Sequence, residues 1–368
     1  MIYLNAASHG LPDERVRARI LTHVQREAEV GPIVATRGVE EEISGVRRKA
    51  ADLIGAKPSE LAFAQTTMTG WSAAVAALPL TGRRILVAPN EWGECVQTFK
   101  LLGNSRDMRL EVMATTQEGD LDLAALQASI DDDVAAISVP MVSSLSGRHY
   151  PVQEIGSLAR PDHCFYVIDG AQGLGQLGVD VEKFGCDMFA ATARKWLRGP
   201  RGTALLYVRS STLECMDPIP VLNTSGDTVG AERQDVARFE SFDFVAALRL
   251  GLGTAIDVVN EYGVGSVAET VANHARHVRD RVARAGLSLA SPADPQSGIT
   301  SFLLPQAVVV EIQEHLAACD IIVKYPPSSD EPMRDAPSDN QVLMRVSPHI
   351  YNDTSHIDAL FNEIASIV

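Results

Sequence analysis

The chain has 368 residues, 46% of them hydrophobic and 21% charged, with a formal net charge of −15. That length allows two or three domain-sized units with a substantial core, and the negative charge argues against binding nucleic acid non-specifically. No apolar run of about 18 residues occurs, so no membrane span is expected. The opening "MIYLNAASHG" lacks the basic-then-apolar pattern of a secretory signal. The five cysteines (Cys95, Cys164, Cys186, Cys215, Cys319) are odd in number, scattered and without a CxxC pair. They fit a reducing cytoplasm better than a disulfide framework or a zinc site, and no metal site is expected.

The first predicted strand is "LAFA" (61–64). It is followed by "RILVA" (84–88), "RLEVM" (109–113), "VAAISV" (134–139), "CFYVI" (164–168), "DMFA" (187–190) and "TALLYV" (203–208). Helical patterns such as "LDLAALQASI" lie between several of them. The alternation predicts an α/β fold with a mostly parallel sheet, whose ligands collect beyond the carboxyl ends of the strands. From about residue 243 two long helices are expected, then a smaller α+β unit ending in "DTSHIDALFNEIASIV". In "ANHARHVRDRV" the charge pattern places His274 and His277 on a solvated helix face.

Two residues carry the strongest chemical signal. Asp169 is expected just past the strand "CFYVI" and Lys195 just past "DMFA", so both can face one ligand. Gly173, Gly175 and Gly178 match GxGxxG, but they do not follow the strand directly and leave too little chain for a crossover helix, so a dinucleotide site is set aside. A lysine at such a place forms a Schiff base with an aldehyde if burial and a neighbouring cation, here Arg194, lower its pKa. An aspartate nearby can keep a pyridine nitrogen protonated. These are the two groups that pyridoxal phosphate needs from a protein. For a phosphate, "FAQTTMTGWS" offers Thr66 and Thr67 where a helix begins, a stretch that a plain Thr N-cap would also explain. Thr192 and Arg194 could add a hydroxyl and a charge. Trp92 in "APNEWGECV" could cover an aromatic ring.

The segments "YLNAASHGLP", "FAQTTMTGWS", "PNEWGECV", "VIDGAQGLGQLGVDV", "ATARKWLRGPRGTALLYV", "RFESFDF" and "MRVSPHIYND" together resemble the class V members of the fold-type I pyridoxal-phosphate enzymes, the group of cysteine desulfurases and their relatives. The likeness runs nearly end to end. It implies a large domain with a mostly parallel seven-stranded sheet and a small C-terminal α+β domain. The corresponding division is an N-terminal segment near the active site (1–15), a cofactor-binding domain (16–245), and a helical connector with the small domain (246–368). By the same resemblance Lys195 binds the cofactor aldehyde, Asp169 pairs with the pyridine nitrogen and Gln172 donates to the phenolic oxygen. Thr66, Thr67, Thr192 and Arg194 hold the phosphate, Trp92 stacks on the ring, and Arg345 grips the α-carboxylate of an amino-acid substrate as a fork. A homodimer with shared active sites is implied, in which "NTSGDTVG" (223–230) could reach the partner's phosphate.

Several departures bear on the reaction. Desulfurases carry a histidine where Trp92 stands and another where Arg194 stands, and Ser144 occupies the place of an asparagine near the phenolic oxygen. The stretch "KYPPSSDEPMRDAPSDNQVL" before Arg345 has no cysteine, although persulfide-forming desulfurases of this type need a mobile thiol there. Within the family, "EAEVGPIVA" near the N-terminus, the aromatic Trp92 in place of the stacking histidine, and "RKWLRGPRG" look most like the carbon–sulfur lyases of ergothioneine biosynthesis. The expected reaction is therefore β-elimination from an S-substituted cysteine or its sulfoxide, releasing pyruvate and ammonia. An aminotransferase or an amino-acid epimerase is the alternative. A protein that keeps the fold only as a scaffold fits less well with retention of Lys195, Asp169 and Arg345. Asn5, Ser8, His9, Arg37 and Tyr325 are candidates for the entrance, with Asn5 and His9 placed nearest the substrate.

Overall fold

A two-residue strand, β1 (Ile2–Tyr3), opens the chain in the computed structural model, which describes residues 1–219, 235–334, 337–338 and 340–367. The main sheet follows, built from β2 (Leu61–Ala64), β3 (Arg84–Val87), β4 (Arg109–Val112), β5 (Val134–Pro140), β6 (Phe165–Asp169), β7 (Met188–Thr192) and β8 (Ala204–Val208). Its seven strands lie in the order β2-β8-β7-β6-β5-β3-β4. Only β8 runs against its neighbours; the other pairs are parallel. The predicted strands are all present, with ends that shift by a residue or two. One shift matters: Asp169 is the last residue of β6, not the first beyond it.

Strands β5 to β8 are buried along their whole length, as expected of a sheet covered on both faces. Their side chains alternate between two cores. Tyr166 and Ile168, Phe189 and Ala191, Leu205 and Tyr207 point to one face, where they meet Val46, Ile54, Leu252 and Ile256. Val167, Met188, Ala190, Leu206 and Val208 point to the other, against Trp71, Val75 and Phe99.

The helices of this unit are α1 (Glu14–Val30), α2 (Pro32–Arg37), α3 (Glu40–Ile54), α4 (Thr67–Ala76), α5 (Gly93–Arg106), α6 (Leu123–Ser129), α7 (Val152–Gly156), α8 (Val181–Phe184) and α9 (Ser210–Cys215). Next come the two long helices, α10 (Ala246–Tyr262) and α11 (Val264–Arg284). Helix α10 packs against α1 and α3. The expected solvated histidine face is half wrong: His274 is buried in α11, whose apolar stripe continues through it, while His277 pairs with Asp358 at 2.8 Å. After β6 the glycines lead only to the four-residue α8, so no nucleotide-binding crossover exists there. Gly175 adopts φ 95°, and a Cβ on it would overlap the backbone of Leu197, so this glycine lets the lysine turn pack close.

The smaller unit has β10 (Thr300–Pro305) between the antiparallel β9 (Ser288–Leu289) and β12 (Gln341–Val346). Helices α12 (Val309–Ala318) and α13 (Thr354–Ala365) pack beside it around Phe302, Met344, Leu360 and Phe361. Strand β1 pairs in parallel with β11 (Ile321–Ile322), and Leu4 enters this core. The chain's first residues are thereby delivered to the gap between the units. No helix among the described residues is long and apolar enough to cross a membrane.

Candidate active site

A cavity of about 410 Å³ opens at the carboxyl end of the sheet, between the two units. It is lined by Thr66, Thr67, Trp92, Ser144, Asp169, Gln172, Thr192, Arg194 and Lys195 from the large unit, by Arg345 from β12, and by Ser8 and His9 from the first segment. Of the expected site residues, Asn5 does not line it. Asn5 is held in a bridge to Ser347, with its side-chain oxygen buried and unpartnered. Arg37 and Tyr325 are also absent from the lining. The segment 223–230 lies outside the described residues.

Lys195 sits in a tight turn three residues past β7, where Gly199 N donates to Ala193 O at 2.8 Å and Arg198 N to Lys195 O at 3.1 Å. The side chain is buried, and burial pushes its pKa down to about 7, with Arg194 and Arg345 adding to the effect and Asp169 opposing it. A neutral amine is therefore accessible near pH 7, the form in which lysine acts as a nucleophile or base. Its Nζ lies 5.9 Å from the centroid of the Trp92 ring. Burial pushes the Asp169 carboxyl up, while Lys195 and the Ala171 N–H at 2.8 Å favour its ionised form.

The orientation of Gln172 is fixed from both sides. Trp196 Nε1 donates to its Oε1 at 2.9 Å and its own Nε2 donates to Ala7 O at 3.0 Å, leaving one N–H for a ligand. Arg345 is held by donating Nη1 to the Ser144 carbonyl and Nη2 to Ser8 Oγ, each at 2.7 Å, and its Nε is buried without a partner. Arg194 donates to the Ser8 carbonyl and lies 3.4 Å from His9 Nε2. Burial, then Arg194, Arg201 and Lys195, pushes the His9 pKa down to about 4, so its ring is neutral at pH 7.

Thr66 caps α4, its Oγ1 accepting from Thr69 N at 3.0 Å in a capping box. The cap and the anion site coexist, because Thr67 Oγ1 next to it is buried with no partner. The unpartnered Thr67 hydroxyl at a helix start is suited to a phosphate, and Thr192 and Arg194 line the same cavity. The site therefore fits pyridoxal phosphate: an unpartnered hydroxyl at a helix start, the buried Asp169 and Lys195, and Trp92 line one cavity.

Sequence reasoning missed Asn90, Glu94, Lys324 and Asp330 in the lining, and Glu91 and Glu331 just behind it. Glu331 is buried and accepts from Asn90 Nδ2 (2.6 Å), Ser143 Oγ (2.7 Å), Ser144 Oγ (3.2 Å) and Leu145 N (2.9 Å). It pins the loop that carries Asp330 to the large unit. The only sequence signal was position: these acids flank Trp92 or lie in the stretch read for its lack of cysteine.

The profile of the family described as Aminotransferase class-V matches residues 2–360. A cysteine desulfurase of Serratia proteamaculans is 28% identical over 338 residues, covering 87% of this chain and 81% of the relative. Among solved structures, the apo cysteine desulfurase of Thermococcus onnurineus NA1 superposes with a TM-score of 0.87 at 22% identity, covering 100% of this chain and 94% of that one. The cystine C-S lyase C-DES, solved with its product cysteine persulfide, also gives 0.87, at 18% identity with coverages of 100% and 97%. A variant of that lyase carries glycine covalently linked to its PLP cofactor. The chain belongs to the class-V aminotransferase family and is a pyridoxal-phosphate-dependent enzyme with the fold-type I architecture.

Proposed function

We propose that the protein is a carbon–sulfur lyase that performs β-elimination on an S-substituted cysteine or its sulfoxide, in the manner of the ergothioneine-biosynthesis lyases. The observation that carries this reading is the loop before β12. Where a persulfide-forming desulfurase needs a thiol, this loop brings Lys324 and Asp330 to the cavity. None of the five cysteines lines it: Cys95, Cys164 and Cys186 are buried, and Cys215 and Cys319 lie on the surface.

When bound, pyridoxal phosphate supplies an electron sink for the charge that develops at the substrate's α-carbon. Thr66, Thr67, Thr192 and Arg194 hold its phosphate, Lys195 Nζ its aldehyde, Gln172 its phenolic oxygen with Ser144 nearby, and Trp92 one face of its ring. Asp169 provides the negative charge that keeps the pyridine nitrogen protonated. Arg345 binds the substrate carboxylate through its free N–H groups. Lys195 Nζ, freed when the substrate's amino group takes its place at the aldehyde, would accept the α-proton in its neutral form. The Cβ–S bond breaks with its electron pair on sulfur, and the three-carbon remainder hydrolyses to pyruvate and ammonia.

The cavity draws on all three expected segments, 1–15, 16–245 and 246–368. A homodimer belongs to this reading. Phe242, Phe244 and Val245 are exposed, and a second cavity of about 760 Å³ beside them shares Thr66 with the active-site cavity. A cytoplasmic setting is supported by the five unpaired cysteines. The test is to add S-substituted cysteines and their sulfoxides to the purified holoenzyme. Pyruvate and ammonia in equal amounts support the lyase. Conversion of cofactor to its amine form without pyruvate would make it an aminotransferase, and racemised substrate an epimerase.

A further inference from the structure

Glu91 is fully buried, and nothing in the mechanism above uses it. Its carboxyl lies in the wall behind the cavity, within 4.8 Å of the Asp169 carboxylate and the Cys95 thiol. It accepts hydrogen bonds from Ser138 Oγ on β5 at 2.7 Å and from the backbone N–H of Trp92 at 2.9 Å, and the Cys95 thiol is a further partner. One side chain thus touches the strand beside Asp169 and the backbone of the residue that covers the cofactor ring.

Two carboxylates this close in a dry wall do not both ionise. The surroundings decide which keeps the proton. Asp169 has the Ala171 N–H at 2.8 Å and faces the Lys195 ammonium. Glu91 has only neutral donors. The charged groups that face it, Asp169 from β6 and Glu331 from the loop before β12, are both acids, and the Cys95 thiol from α5 is held neutral by burial. Burial, then Asp169, pushes the Glu91 pKa up to about 8.

We propose that Glu91 is a positioning residue that stays a neutral acid behind Asp169, confines the pair's single negative charge to Asp169, and anchors Trp92 through its backbone N–H. The inference rests on the cofactor lying over Asp169, as above. A bound pyridinium opposite Asp169 strengthens the assignment, because it favours a proton on Glu91 rather than on Asp169.

The test uses the holoenzyme and does not depend on turnover. Infrared spectra of the unaltered protein should show a buried protonated carboxyl at about pH 6 that is lost by about pH 10. In Glu91→Gln that band should be missing while cofactor absorbance persists. Glu91→Leu strands both donors and should weaken cofactor retention by about tenfold relative to Gln. If the band survives in Glu91→Gln, the proton sits elsewhere and the inference falls; if Gln and Leu lose cofactor equally, the anchoring role falls. Should either variant fail to fold, carbon-13 titration of glutamate carboxyls in the unaltered protein decides: a Glu91 carboxyl ionised at about pH 6 overturns the proposal. Failure of the lyase reading alone, shown by absent pyruvate release, leaves these spectra unchanged.

Discussion

Arg345 Nη1 donates to the carbonyl oxygen of Ser144 at 2.7 Å, which ties β12 of the small unit to the loop after β5 of the large one. The same guanidinium reaches Ser8 Oγ at 2.7 Å. Arg345 is thus oriented by two other segments before any substrate arrives, and such preorganisation suits a residue that must grip a carboxylate. Lysine cannot reproduce that planar fork. Arg345→Lys should lower kcat/KM about 10- to 100-fold, mostly through KM, in steady-state kinetics. An unchanged KM would remove Arg345 from substrate binding.

Lys195→Met should abolish the visible absorbance of covalently held cofactor and all turnover. The same substitution tests the lysine's electrostatics in the cofactor-free protein. The folded pKa is about 7 against 10.5 for the free side chain. Between these values the unfolded chain binds more protons, so this group makes stability rise with pH across that window, and its cost is fully present below pH 7. Lys195→Met should therefore gain on the order of a few kcal/mol over the unaltered protein below neutrality, a gain that shrinks as pH rises. Denaturant titrations at several pH values measure it.

Thiol chemistry separates the lyase from a desulfurase. Cys215→Ser and Cys319→Ser, singly or together, should leave turnover unchanged, because both thiols lie away from the cavity. Alkylation of the native holoenzyme should likewise spare activity, and no enzyme-bound persulfide should appear by mass spectrometry.

Glu331→Ala removes an acceptor that four groups share and leaves buried donors unpaired. A loss of about 3 kcal/mol in stability is expected, with faster proteolysis near residues 326–334. Glu331→Gln should recover only part of it, since it sets an amide donor against Asn90 Nδ2.

Replacing Phe242 and Phe244 together with Asp should convert a dimer to monomers in light scattering. It should also weaken cofactor retention, since the adjoining cavity includes Thr66. A monomeric unaltered protein would remove the shared-site part of the proposed function.

The alternation of short β-rich runs with helical patterns determined the α/β class, because strands buried on both faces read as short continuous apolar runs, a mark local to each segment. The Asp169 and Lys195 pair was legible for a similar reason: Asp169 ends β6 and Lys195 follows β7 by three residues, and the strand ends of a parallel sheet point one way. Tertiary structure alone decided who joins them. Ser8, Lys324 and Asp330 reach the cavity only because β1 pairs with β11 and because Glu331 docks on Asn90 and Ser143, contacts that span hundreds of residues and impose no local pattern. Asn5 was expected nearer the substrate than Ser8, yet its bridge to Ser347 holds it out of the lining while Ser8 enters it. Glu91 read as one more charge beside a tryptophan. Burial, which composition and spacing do not encode at a single site, made it a carboxyl facing Asp169 in a dry wall.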